Sequence, residues 1–166
     1  MSRGIVAALL LAGWGVVLAP AVTSAASAAH LAAFTAKDSG AIRALMRDYF
    51  AAFTARDYPA LERYFTVPFV FVGPRPRVIT NLAVVLRAWR AIRASLEHSA
   101  YAASKIVQVR VIPMTGTQAM ADVHWQRLRR DGTLLNQGAE LYLVTKKSGQ
   151  WQIDGHMEQA LALFGR

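Results

Sequence analysis

The chain has 166 residues, of which 54% are hydrophobic and 17% charged, with a formal net charge of +9 and no cysteine. This length corresponds to about one domain, and the apolar content suffices for a single core. The lack of cysteine excludes disulfides, thiol chemistry and anchoring through a lipid-modified cysteine. The positive charge favours acidic partners, but the basic residues are dispersed along the chain, so composition alone identifies none.

The first 29 residues predict a secretory signal peptide. A short positive start with Arg3 precedes an apolar run, Gly4–Leu18, and small residues then offer cleavage sites of the A-x-A type. The run is shorter than the about 20 residues of a membrane-spanning helix, although an uncleaved anchor is the alternative. We therefore expect a mature chain that begins between residues 27 and 31, is periplasmic or secreted, and has no stable membrane insertion. Residues 30–166 are expected to form one domain, and no motif supports nucleic-acid binding.

Three amphipathic helices are predicted next, each defined by apolar residues at helical spacing. Asp38 or Ser39 caps the first helix, whereas Asp57 caps the second and Pro68 ends it. Arginines flank the third helix, and we interpret them as a solvated face rather than as an anion-binding or membrane-binding patch. The three apolar stripes are Ile42, Leu45, Met46, Tyr49, Phe50 and Phe53; Leu61, Tyr64 and Phe65; and Leu82, Val85, Leu86, Trp89, Ile92 and Leu96.

The strands are predicted mainly in the second half of the chain. A short apolar strand, Phe69–Val72, lies between the second and third helices, and Lys105–Ile112 alternates with period two. Two successive hairpins then cover Gln118–Glu158, with Asp131-Gly132 and Ser148-Gly149 as their turns. The order of helices and antiparallel strands indicates an α+β fold in which a curved sheet wraps around the first helix and leaves a cone-shaped cavity.

Two-residue turns would fix the register of the hairpins. Asp122 then faces Leu141 and His124 faces Ala139, whereas Leu141 faces His156 and Leu143 faces Asp154. Because side chains alternate between the faces of a strand, two Asp-x-His pairs share one face of the sheet. The opposite face carries Val123, Trp125, Glu140, Tyr142, Val144, Trp151 and Ile153.

The shared polar face supplies the candidate catalytic residues, which are Asp122, His124, Asp154 and His156. Histidine titrates near neutral pH and suits proton transfer, and a neighbouring carboxylate fixes its tautomer. A partly solvated face or an interface is the alternative. Zinc ligands have to converge within about 2.0–2.3 Å of one point, and two pairs separated by a middle strand converge poorly. We therefore predict no metal site.

The chain resembles the nuclear-transport-factor-2-like superfamily, in its SnoaL-like and ketosteroid-isomerase-like branch. The resemblance covers roughly residues 38–158. It depends on the order of elements and on three groups of residues. These are Tyr49–Phe53 followed by Arg56-Asp57 and Leu61, Tyr64-Phe65 running into Pro68-Phe69, and Lys147–Ile153 with His156. The resemblance implies a cone-shaped barrel with a concave pocket and frequent dimerisation through the outer face of the sheet.

The same resemblance implies no single chemistry, because this fold carries isomerases, dehydratases, epoxide hydrolases and binding modules. No acidic residue between Phe65 and Arg77 supplies the base of a ketosteroid isomerase. Asp122 and Asp154 with Arg110 imitate the Asp-Arg-Asp arrangement of limonene-epoxide-hydrolase-like sites. Scytalone-dehydratase-like sites, which use histidines, an aspartate and tyrosines, are nearest in composition.

The sequence therefore predicts an exported protein that binds a small, largely apolar molecule without a cofactor. The pocket wall is expected at Tyr49, Phe53, Phe69, Leu141 and Leu143. One alternative is an isomerase, lyase or hydrolase that uses the histidines and aspartates as acid/base groups. Another is a dimeric interaction module, whose outer face would carry Trp125, Tyr142 and Trp151 unless a terminal segment covers it.

Overall fold

The structure is a computed structural model that describes residues 34–164, so the predicted signal peptide and its cleavage lie outside the described residues. Within this range, three helices and six strands follow one another, and two 3₁₀ turns lie at residues 97–99 and 161–163. The elements are α1 (Ala36–Ala55), α2 (Tyr58–Tyr64), β1 (Phe65–Val72), β2 (Arg77–Ile79), α3 (Leu82–Ser95), β3 (Tyr101–Pro113), β4 (Gln118–Arg129), β5 (Leu134–Lys147) and β6 (Gln150–Gln159). None of the described helices is long and apolar enough to cross a membrane.

The six strands form one curved sheet in the order β2-β1-β6-β5-β4-β3. Its pairs are antiparallel except that β1 runs parallel to β6. The three helices pack on the concave face, and this arrangement confirms the predicted α+β cone with an unclosed sheet. Two short elements differ from the prediction: β1 begins at Phe65, which pairs with Ile153, and the three-residue edge strand β2 was not predicted.

Both ends of α1 are set by local chemistry. Thr35 and Asp38 form a reciprocal capping box at the start of the helix, and Arg56 ends it in the left-handed conformation. The Asp38 carboxylate also accepts hydrogen bonds from Lys146 Nζ at 2.8 Å and Trp151 Nε1 at 3.1 Å. These contacts attach the start of α1 to the β5–β6 hairpin and align the helix along the sheet.

The core lies between α1 and the sheet face that carries Val123, Trp125, Tyr142, Val144 and Ile153, all of which are buried. The interpretation of this face as the outer one is therefore wrong. The physical reason is that it holds the larger apolar side chains, whose burial against the helices provides most of the hydrophobic stabilisation. Asp122, His124, Leu141 and Leu143 lie on the opposite, outer face.

The predicted hairpin register is correct for most pairs but shifts at two positions, one of which is the step from Arg127 to Leu128 beside the first turn. Asp122 pairs with Leu141, His124 with Ala139 and Lys147 with Gln150, as expected. Between Leu143 and Val144 the register of β6 shifts by one residue, so Leu143 faces Gly155 and Tyr142 faces His156. A β-bulge therefore inserts Asp154 and moves His156 to the concave face. The prediction that two Asp-x-His pairs share one face is wrong for this reason.

Candidate functional site

A cavity of about 40 Å³ lies between the concave face of the sheet and helices α1 and α3. Aromatic side chains form most of its wall, and four polar or charged side chains reach it from the strands. Ile92, which is 39% exposed, belongs to the lining, so the cavity opens beside α3. The lining residues are Tyr49, Phe50, Phe53, Trp89, Ile92, Ser104, Trp125, Arg127, Glu140, Tyr142 and His156.

His156 is the most isolated polar group of the cavity. Its side chain is packed among aromatic rings, with centroid distances of 4.6 Å to Phe71, 5.4 Å to Trp89 and 6.0 Å to Tyr142. Only 6% of the residue is exposed, and neither ring nitrogen has a hydrogen-bond partner among residues 34–164. Burial lowers the pKa of His156 to about 4, because the charged imidazolium is poorly solvated there. The ring is therefore neutral at pH 7 and offers one donor and one acceptor.

Among the described residues, Glu140 is the only acidic one in the cavity lining. Tyr142 donates a short hydrogen bond to its carboxylate, and Oε2 lies 4.0 Å from Nδ1 of His156. Burial raises the pKa of Glu140, while the Tyr142 hydrogen bond and the charge of Arg127 act in the opposite direction. A buried carboxyl group with a raised pKa and a neutral imidazole nearby can exchange protons with a bound molecule.

Tyr49 presents its hydroxyl to the cavity from α1. It accepts a 2.7 Å hydrogen bond from the indole nitrogen of Trp89, so α1 and α3 are joined at the cavity wall. Burial is also the main reason why the pKa of the Tyr49 hydroxyl is raised, and the negative charge of Glu140 adds to it. The hydroxyl therefore stays protonated at neutral pH and can donate to a bound oxygen.

Arg127 lies in the cavity lining together with Ser104, its partner across β3 and β4. The guanidinium carbon of Arg127 is 4.4 Å from the centre of the Trp125 ring. Gly138, opposite Trp125 on β5, leaves room for this indole, since a Cβ there would lie 2.7 Å from it. The missing side chain of Gly138 thus lets Trp125 lie flat against the strand and support Arg127.

The other predicted catalytic residues lie outside the cavity, on the outer face of the sheet. Asp122 is fully buried there and accepts a 3.0 Å ion-pair hydrogen bond from Arg110. Asp154 accepts a short hydrogen bond from Thr145, and the ring of His124 lies 5.6 Å from Phe164. His124 and Asp154 do share a face, as predicted, but the structure does not bring either of them near His156.

Of the predicted ligand-binding residues, Tyr49 and Phe53 line the cavity. Phe69 lies behind the lining, with its ring 5.4 Å from Trp89 and 6.1 Å from His156. Leu141 and Leu143 were predicted wrongly, because their side of β5 faces outward. Glu140 and Tyr142 were grouped on the correct face, which was wrongly predicted to be the outer one. Trp89 was predicted only as part of the apolar stripe of α3, and Arg127 had no predicted role in the site. Glu140 and Tyr142 share a face with Val123, Trp125 and Ile153, and these large apolar neighbours were the signal that could have placed both of them on the covered face.

No metal centre is formed within residues 34–164, where no three His, Asp or Glu side chains come together as ligands. The cavity instead combines aromatic walls with a carboxyl group, an imidazole, a guanidinium and a tyrosine hydroxyl. This composition is typical of sites that bind small organic molecules.

Solved structures with the same fold are numerous and distant in sequence. A protein of unknown function with a cystatin-like fold from Nostoc punctiforme has 12% identity and a TM-score of 0.64, covering 80% of this chain and 97% of its own. An NTF2-like protein from Novosphingobium aromaticivorans has 16% identity and a TM-score of 0.62, covering 78% and 85%. A ketosteroid isomerase-like protein from Erwinia carotovora has 18% identity and a TM-score of 0.54, covering 76% and 98%.

These similarities show the fold alone, and no curated protein sequence matches the chain significantly. A family described as NTF2-like protein (DUF6841) matches residues 37–160, which includes every strand and all but the first residue of α1. The predicted resemblance to the NTF2-like superfamily is thereby confirmed, and the chain belongs to the NTF2-like DUF6841 family.

Proposed function

We propose that the chain is an exported protein that binds a small, largely apolar molecule in the concave cavity. The aromatic wall supports the apolar part of this proposal, and Glu140 and His156 provide hydrogen bonds to a polar group of the ligand. Export is supported by the sequence of residues 1–29, which has the charge, apolar run and small residues of a signal peptide.

His156 is the observation that carries the proposal. A buried polar group without a hydrogen-bond partner costs about 1–3 kcal/mol, and this imidazole has two such nitrogens. A folded protein retains this cost where the group serves a ligand, since a phenyl ring would pack equally well among the surrounding aromatic rings. A bound molecule with a hydroxyl or carbonyl group would satisfy the imidazole.

The size of the cavity limits the ligand. A cavity of about 40 Å³ holds a few non-hydrogen atoms, whereas pockets that bury a drug-sized ligand have about 300–1,000 Å³. We therefore propose that the ligand is small, or that it inserts one small group while the rest extends past Ile92. A steroid-sized molecule would require the aromatic wall to move.

Native mass spectrometry of gently purified protein tests the proposal. We expect an adduct on the wild-type chain, and its mass and fragmentation would give its identity. The His156→Phe variant should lose the adduct, because it keeps the ring and removes both nitrogens. His124→Phe, which changes the same residue type on the outer face, is the matched control and should retain it. Equal adducts on all three proteins would mean that the molecule binds elsewhere.

A second candidate function is cofactor-independent proton transfer, in an isomerase, lyase or hydrolase. The buried carboxyl group of Glu140, with its raised pKa and its contact to Tyr142, favours this candidate. The adduct identified above, incubated in D₂O with the protein, should exchange a carbon-bound hydrogen. Glu140→Gln should slow this exchange by about 10²–10⁴-fold if Glu140 is the acid/base group. No exchange with the wild-type protein would leave binding as the function.

We also propose that the protein forms a homodimer through its outer face. Partly exposed apolar side chains lie next to one another there on β1, β4, β5 and β6, which are Val70, Val72, Met120, Leu141, Leu143 and Met157. Contiguous apolar surface of this kind favours an interface. Light scattering should give twice the chain mass for the wild type and one chain mass for Leu143→Glu; a monomeric wild type would contradict this proposal.

A further inference from the structure

We infer that the molecule bound in the cavity carries an anionic oxygen group, such as a carboxylate, and that Arg127 binds this group at the cavity mouth. The inference rests on the proposed function, because it names the class of molecule that the same cavity takes. The apolar wall and the His156 nitrogens do not by themselves distinguish a charged ligand from a neutral one, so the charge of the ligand is a separate inference.

Arg127 is a cation in the cavity lining that forms no ion pair with any described residue. No carboxylate oxygen of residues 34–164 lies within ion-pair distance of its guanidinium, and it makes no hydrogen bond there. Its Nε is shielded from solvent and unpartnered. The contact with the Trp125 ring holds the guanidinium against the wall while its N–H groups remain available. A guanidinium held in this way matches the planar geometry of a carboxylate.

A second arginine adds positive charge on the same side of the cavity. Arg93 follows the mouth residue Ile92 on α3, is 6% exposed, and has two buried guanidinium nitrogens without partners. Its guanidinium carbon lies 4.5 Å from the centre of the Tyr101 ring, and the Tyr101 hydroxyl is 2.7 Å from Ser104 Oγ. Ser104 is the cross-strand partner of Arg127. Two arginines without an ion pair in the described chain therefore flank one segment of β3.

Among the described residues of the lining, the one acidic group is Glu140, and it forms no ion pair with either arginine. It lies beyond ion-pair distance from Arg127, although the charge of Arg127 lowers the pKa of Glu140 against the larger effect of burial. Its other neighbours on the concave face are the hydroxyl of Tyr142 and the neutral ring of His156. The exposed Glu158 is the remaining acidic group that acts on Glu140. An anion that enters the cavity would thus meet the guanidinium of Arg127 and hydrogen-bond donors.

Tryptophan indole signals make the inference testable without knowing the natural ligand. The chain has four tryptophans. Trp125 lines the cavity, the Trp89 indole donates to Tyr49 in its wall, and the Trp151 indole donates to Asp38 away from it. Labelled full-length protein would be titrated at pH 7 and constant ionic strength with two matched pairs of probes, benzoate against benzamide and propionate against propionamide, while the indole N–H signals are recorded.

We expect both carboxylates to shift the Trp89 and Trp125 signals, to leave Trp151 unchanged, and to bind at least about tenfold more tightly than their amides. Arg127→Met should remove this preference, whereas Arg87→Met, which deletes an exposed charge on α3, should keep it. An unchanged Trp151 signal in Arg127→Met would show that the variant is folded.

Two other results are informative. If amides and carboxylates bind equally and Arg127→Met changes nothing, the inference is overturned while binding in the cavity stands. If none of the four probes shifts Trp89 or Trp125, the cavity takes no small molecule of this size, and both the inference and the proposed function fail. Arg127→Lys gives an additional check, because it keeps the charge but loses the planar guanidinium and should weaken carboxylate binding only in part.

Discussion

Replacing His156 by phenylalanine should make the protein more stable, most clearly at acidic pH. The imidazole is 6% exposed, has no hydrogen-bond partner and is surrounded by Phe69, Phe71, Trp89 and Tyr142. A phenyl ring keeps the packing and removes two unsatisfied polar atoms. At pH 7 we therefore expect His156→Phe to range from neutral to a gain of about 1–2 kcal/mol in the free energy of unfolding.

The effect of pH follows from the lowered pKa of His156. The folded ring titrates at about 4 and the unfolded one at 6.5, so below pH 6.5 the unfolded state binds a proton that the folded state does not. This group therefore contributes a loss of stability that begins near pH 6.5 and grows until about pH 4. At pH 5 the difference between the two titrations amounts to about 2 kcal/mol. His156→Phe removes that loss and should gain about 2 kcal/mol more at pH 5 than at pH 7.

Urea denaturation of both proteins at pH 7 and pH 5, followed by tryptophan fluorescence, measures this difference. Other groups titrate in the same range, but they are common to both proteins and cancel in the comparison. His124→Phe, which replaces the same residue type on the outer face, is the control for the substitution itself. An advantage of His156→Phe that is the same at pH 5 and pH 7 would contradict this prediction, because it would mean that the ring is not buried in its neutral form.

Three further predictions concern the start of α1, two glycines and the mature N-terminus. Asp38→Asn should lower the free energy of unfolding by about 1–3 kcal/mol at pH 7, as measured by urea denaturation. The Lys146 hydrogen bond holds the pKa of Asp38 well below its usual range, so this loss should shrink as the pH falls below about 4. Asp48→Asn, at an exposed position of the same helix, is the control. Gly155→Ala should lower the melting temperature, since its Cβ would lie 2.7 Å from the Val70 carbonyl oxygen. Gly40→Ala in α1 meets no atom within 4 Å and should raise the free energy of unfolding by about 0.5–1 kcal/mol. Equal effects of the two changes would contradict this prediction. Intact-mass measurement of the exported protein should place its first residue between positions 27 and 31, and an uncleaved Met1 in that fraction would rule out export by cleavage.

Much of the fold followed from local patterns in the sequence. The stripe from Ile42 to Phe53 has helical spacing and forms the buried side of α1. The turns at Asp131-Gly132 and Ser148-Gly149 set two hairpins, with positive φ angles at both glycines, and most of their pairs have the predicted register. These features depend on residues close together in the chain, and short-range chemistry suffices to determine them.

Two features of the candidate site come from the tertiary structure: the face of the sheet that the helices cover, and the bulge in β6. Alternation shows which residues of a strand share a face, but it does not say which face the helices cover, and Glu140 and Tyr142 became cavity residues only because α1 packs on their side. The bulge at Asp154 then moved His156 across the sheet by inserting a single residue. Because side chains alternate with a period of two, one inserted residue reverses every side chain beyond it. The sequence determined the elements, and the packing of distant segments determined which polar groups meet.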